Sequence, residues 1–184
     1  MTTPIESTDE SPTTTAAPRR PTAADAQLLG FAQTVELAAR DLYRLAVEAG
    51  AGGQQLPSLA AIAAHHDAYA QAISAVIGTS APQQRDEALF TALRSLFASK
   101  AESVARAAHD LENTLVATHQ SLLAQLDGTE GSALIASILI VEARHSAALA
   151  VLAGLSPTGD ADAFFRTPAV QPLTPTPLNP TPIA

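Results

Sequence analysis

The 184-residue chain has no cysteine and no tryptophan, and only two tyrosines and five phenylalanines. Without cysteine it can build neither a disulfide framework nor a thiolate metal site. Any metal must be held by carboxylate and imidazole, with phenolate as a further donor. Basic side chains are also scarce: ten Lys and Arg stand against eighteen Asp and Glu, a formal net charge of −8. Nucleic-acid binding requires clustered Lys and Arg, so no nucleic-acid partner is expected. An anionic membrane surface is disfavoured for the same reason. The charge is compatible with gathering cations. No run of about 18 consecutive apolar residues occurs, so no membrane-spanning helix is expected. Arg19-Arg20 suggests a twin-arginine export signal, but Pro21, Thr22, Asp25 and Gln27 follow where an apolar export segment should begin. The chain is therefore expected to be cytoplasmic.

What is present is alanine. Apolar residues make up 47% of the chain with few aromatics among them, a composition that favours helices packed through small side chains. Residues 1–22, rich in Thr, Pro, Ser and acid, read as a disordered tail. Residues 156–184 hold seven prolines. Proline has no amide hydrogen and a fixed φ, so this tail is expected to be loose or polyproline-like, and open to a protein partner. Phe164, Phe165 and Leu173 are the residues that would dock it.

Between the tails, over 23–155, the pattern predicts an all-α four-helix bundle. The helices are expected over about 23–49, 57–77, 100–126 and 129–154, broken at Gly50 with Gly52-Gly53, at Gly78 and at Asp127-Gly128. Ser80-Ala-Pro-Gln83 resembles a capping box opening a shorter helix over about 82–98. One long crossover carrying this helix makes the second and third main helices parallel, as in ferritin-like bundles.

Four helical seams carry polar residues at matching depths. Glu36 lies thirty residues before His66, and Glu112 thirty residues before Glu142. The downstream position opens a three-residue step each time, His66–Tyr69 and Glu142–His145. The second helix has the apolar rhythm Leu59, Ile62, His66, Tyr69, Ile73, Val76. The fourth has Ile138, Glu142, His145, Leu149, Leu152, and the third Ala108, Glu112, Leu115, His119, Leu122. Glu36 sits at the edge of the first helix's stripe, roughly 80° from its centre. Buried carboxylates facing one another repel unless a cation joins them. Glu142 and His145, one turn apart on one face, can reach the same ion, and oxygen with nitrogen donors suits iron, manganese or zinc. The plainer alternatives are an exposed Glu36–Arg40 pair, a boundary position for Glu112, core histidines at His66 and His145, and core-edge tyrosines at Tyr43 and Tyr69. His119 is placed as a core or site-lining residue, and His65 and His109 as surface.

The segments Phe31-Ala-Gln-Thr-Val-Glu-Leu-Ala-Ala-Arg-Asp-Leu-Tyr43, Asp110-Leu-Glu-Asn113 and Ile138-Leu-Ile-Val-Glu-Ala-Arg-His-Ser-Ala-Ala-Leu149 resemble the ferritin-like domain proteins of bacteria, a likeness covering roughly residues 25–154. The resemblance implies a two-ion iron or manganese centre with Glu36 and Glu112 as terminal carboxylates, Glu142 as a bridge and His145 as a nitrogen ligand. The first hairpin departs from that pattern. His66 stands where a bridging Glu is expected and Tyr69 where a His is expected, so a single metal, a mixed-ligand pair and no metal at all stay open. The metal set is thus Glu36, His66, Glu112, Glu142 and His145, with Tyr69 and His119 lining it. The functions implied are oxidase, peroxide-handling or iron-handling chemistry. Against them stand a non-catalytic helical module with a relic site and a cargo or assembly role in which the tail is an address. A homodimer is the default assembly.

Overall fold

The computed structural model describes residues 16, 18–165 and 170–175. Among the described residues six helices follow in order: α1 (Ala23–Glu48), α2 (Leu56–Ile77), α3 (Glu87–Phe97), α4 (Ala101–Leu123), α5 (Thr129–Leu152) and α6 (Ala161–Phe165). Single 3₁₀ turns at Gly53–Gln55 and Gly78–Ser80 flank α2.

Thr22 opens α1 with a capping box, its hydroxyl accepting from the Asp25 amide at 3.1 Å while the Asp25 carboxylate accepts from the Thr22 amide at 2.8 Å. The same carboxylate accepts from the amides of Asp127 and Gly128, at 2.9 and 3.0 Å, and so fastens the start of α1 to the α4–α5 turn. A side chain at position 128 would meet the Arg20 carbonyl at 2.9 Å, which explains glycine there. The Pro18 and Arg19 carbonyls accept from the amides of Thr129 and Glu130. Residues 18–22 therefore belong to the packed structure, and most of the tail expected over 1–22 lies outside the described residues. At the other end of α1, Gly50 takes φ of +63°, the left-handed conformation that turns the chain towards α2 at no steric cost.

The crossover departs from the sequence expectation. Its helix begins at Glu87, not near 82, because Asp86 caps it by accepting from the Leu89 amide at 2.9 Å. The Ser80–Gln83 stretch is instead pinned to α1. The Gln83 amide donates to Gln33 Oε1 at 2.9 Å, and the Asp86 amide to the Thr34 carbonyl at 2.8 Å. α3 then lies along the flank made by α1 and α4.

Side-chain pairings fix the topology. Gln33 meets Ser74 while Arg40 meets Asp67, so α1 and α2 run oppositely. His109 meets Ser146 while His119 meets Glu142, so α4 and α5 do too. Tyr43 faces Glu112 and Glu36 faces His119, which sets α1 antiparallel to α4 and makes α2 and α4 parallel. α5 is long and apolar enough by composition to cross a membrane. Here it is the fourth wall of the bundle, with Ile135, Ile138, Glu142, His145 and Leu149 turned inward.

The core falls into two apolar clusters. One is built on Val35, Leu42, Tyr43, Leu59, Phe97, Leu111, Leu115 and Leu149. The other contains Leu29, Ala32, Ile73, Leu122, Ile135 and Ile138. Each fully buried Leu or Ile contributes about 1.5–3 kcal/mol, and the two clusters clamp the helices above and below a polar layer. The loose reading of the C-terminal stretch fails at Leu173. Its amide donates to Thr118 Oγ1 at 2.9 Å and its side chain packs on the first cluster. Residues 176–184, and the side chain of Phe165, lie outside the description.

Candidate metal centre

The polar layer takes residues from all four long helices. Glu36 comes from α1, His66 from α2, Glu112 and His119 from α4, and Glu142 and His145 from α5. The first five are 0% exposed and His145 is 7% exposed. The exposed Glu36–Arg40 pair is therefore not formed. Arg40 turns away to Asp41 and Asp67, at 2.8 and 3.0 Å.

Six side chains form two trios. In each of the sets His66–Glu112–His145 and Glu36–His119–Glu142, one ligand atom per residue lies within 4.8 Å of the others. His66 joins the two sets, its Nδ1 2.7 Å from Glu36 Oε2 and its Nε2 3.1 Å from Glu112 Oε1. His145 Nδ1 lies 3.3 Å from Glu112 Oε2. His119 Nδ1 lies 2.7 Å from Glu142 Oε2, and its Nε2 3.4 Å from Glu36 Oε1. Tyr69, read from sequence as lining the site, stands with its ring edge-on to His66 at 5.9 Å and packs with the second apolar cluster.

The electrostatics of the three carboxylates are unequal. Burial raises the Glu112 carboxyl, but the imidazoles of His66 and His145 outweigh it and hold the group down at about 2. Burial, helped by the charges of Glu36 and Glu112, pushes Glu142 up to about 8 against the pull of His119 alone. Burial lowers His66, and the charges of Glu112 and Glu36 more than reverse it, leaving the ring well above its ordinary value. His119 is likewise raised on balance, burial being outweighed by Glu142.

Four residues behave differently from their sequence reading. His119 is a full member of a trio, because the antiparallel pairing of α1 and α4 puts position 119 opposite Glu36. The signal was its seven-residue step from Glu112, two turns along one face. Tyr43 is fully buried, and its hydroxyl donates to Glu112 Oε1 at 2.5 Å. It lies seven residues from Glu36, on the same face. His109, read as surface, is 1% exposed, because α6 covers it. Its Nδ1 lies 2.9 Å from the Ser146 carbonyl and its Nε2 3.1 Å from the Ala163 carbonyl. His65 is exposed as expected, yet its Nδ1 lies 2.9 Å from His145 Nε2, with the rings stacked at 5.1 Å.

The donor set fits a divalent cation. Glu36 Oε1, His119 Nε2 and Glu142 Oε1 are buried and have no hydrogen-bond partner. An orphaned buried donor or acceptor costs about 1–3 kcal/mol, more when charged, and a cation shared by these groups removes that penalty.

A four-helix bundle with one long crossover and a mid-height layer of Glu and His defines the ferritin-like class. The family model of the ferritin-like domain matches residues 24–155, and the chain belongs to that family. No curated protein and no solved structure matches the chain.

Proposed function

We propose that this chain is a metalloprotein that holds iron or manganese in the polar layer and serves an oxidase, peroxide-handling or iron-handling role. The observation that carries this is the set of three orphaned atoms on Glu36, His119 and Glu142, sealed from water between two apolar clusters. A bound iron or manganese ion supplies redox chemistry with dioxygen or peroxide. The protein supplies the rest. Glu36, Glu112 and Glu142 provide negative charge that favours the higher oxidation state. His119 and His145 provide nitrogen donors. Tyr43 and His66 hold Glu112 in one orientation by hydrogen bonds. The only imidazole of the layer that reaches the surface is His145, which meets the exposed His65.

One observation favours a second reading, a non-catalytic module whose polar seam is internally satisfied. His66 spends both ring nitrogens on carboxylates. Anaerobic titration of the full chain with Fe(II) and with Mn(II) separates the two. The metalloprotein reading expects stoichiometric binding that Glu142→Ala abolishes. Absence of binding by the folded parent leaves only the helical module.

A further inference from the structure

The two trios are not equivalent in what they leave available. In His66–Glu112–His145 every inward-facing atom is engaged. Glu112 Oε1 accepts from Tyr43 and faces His66 Nε2, Glu112 Oε2 faces His145 Nδ1, and His145 Nε2 meets His65. A cation placed there must displace several hydrogen bonds. In Glu36–His119–Glu142, each residue keeps one buried atom with no hydrogen-bond partner, and all three side chains are 0% exposed.

Charge partners divide the same way. Glu112 is met by two imidazoles and a phenol. Glu36 is met by His66 on one oxygen, at 2.7 Å, and its other oxygen stands 3.4 Å from His119 without a hydrogen bond. Glu142 has His119 alone. The deficit of positive charge lies on the Glu36–Glu142 side of the layer. His66 meanwhile spans Glu36 and Glu112, joining one carboxylate from each trio as a shared cation would.

We propose that the centre holds one divalent first-row cation, on Glu36, His119 and Glu142, and that His66 occupies the place of a second cation by cross-bracing Glu36 to Glu112. This rests on the metalloprotein reading above and adds its stoichiometry and address. Two carboxylates and one imidazole form a donor set suited to manganese or iron. Glu112, His145 and Tyr43 then act as positioning residues, keeping His66 and so Glu36 in register.

The test is a metal count on the full chain by native mass spectrometry, with Mn(II) and, anaerobically, Fe(II). The parent is expected to bind one ion per chain. His119→Gln should weaken binding beyond about a hundredfold, past the range that outer-shell changes reach, whereas His145→Gln should stay within that range, at no more than about a hundredfold. His66→Glu, which replaces the brace with a carboxylate, should raise the count to two. Two ions on the parent overturn this proposal and leave the metalloprotein reading standing, whereas no ion on the folded parent overturns both. A single ion retained by His119→Gln and lost by His145→Gln overturns the assignment to this trio. A folded His66→Glu chain that stays at one ion overturns the role given to His66. Far-UV circular dichroism reports folding of each variant, and the parent count decides the stoichiometry by itself.

Discussion

The Tyr43 hydroxyl donates to Glu112 Oε1 across 2.5 Å, joining α1 to α4 inside the bundle with both side chains closed to water. The Tyr43 ring also stacks on His66 at 5.4 Å and meets Phe97 edge-on at 5.4 Å. Tyr43→Phe keeps the ring and removes only the donor. A hydrogen bond to a charged group is worth about 1.5–3 kcal/mol, and urea denaturation should show a loss of that size. A change below about 0.5 kcal/mol would mean that the phenol contributes nothing to holding the carboxylate.

The stability of chelator-treated protein should fall as pH rises above 6.5. His66 and His119 have folded values raised above 6.5, so the stability they confer is full below that pH and is lost as pH climbs through the folded values. Glu142, raised from 4.5 to about 8, works in the same direction, since the folded chain keeps a proton that the unfolded chain has released. His65 is shifted downward by burial and by its neighbouring histidines, so its contribution lies below this window. Thermal melting across the pH range reads the slope directly. A flat or rising profile would contradict the charge pattern described here.

Asp25 ties Thr22, Asp127 and Gly128 together where the start of α1 meets the α4–α5 turn. Burial raises its carboxyl, but hydrogen bonds from those residues outweigh burial and hold it below the usual carboxylate range. Its stabilising effect is therefore present above the unfolded value of 3.8 and is lost as pH falls through the lower folded value. Asp25→Ala should cost about 1–3 kcal/mol near neutral pH. That difference from the parent should shrink on acidification, as denaturation curves at a series of pH values would show.

His109 fastens α6 to α4 and α5 through the carbonyls of Ala163 and Ser146. His109→Ala should raise hydrogen exchange at α6 amides while the amides of α1 and α2 keep their protection. Equal exchange in parent and variant would show that α6 is held by other contacts.

The helices and their inward faces were legible because the apolar three-four rhythm is local to each helix. So was the thirty-residue register that sets Glu36 beside His66 and Glu112 in the same hairpin as Glu142, since a short turn between helices fixes which residues share a level. The α1–α4 pairing was not legible, because it joins positions separated by the whole crossover. Tyr43 and His119 owe their places to that pairing, as does the shared environment of the three carboxylates. His109 escaped because its cover comes from a five-residue helix in a stretch whose prolines dominate the reading. The start of α3 was misplaced because Ser80 and Asp86 both carry capping chemistry. Only the structure reveals that Gln83 and Asp86 give their amides to α1.

The most direct measurement is elemental analysis of the full chain purified without chelators, with Glu142→Ala prepared in parallel. The account predicts iron or manganese in near-integral proportion to the parent chain and a trace level in the variant. Parent protein that is folded yet carries no more metal than the variant, and takes up none on addition of Fe(II) or Mn(II), would contradict it.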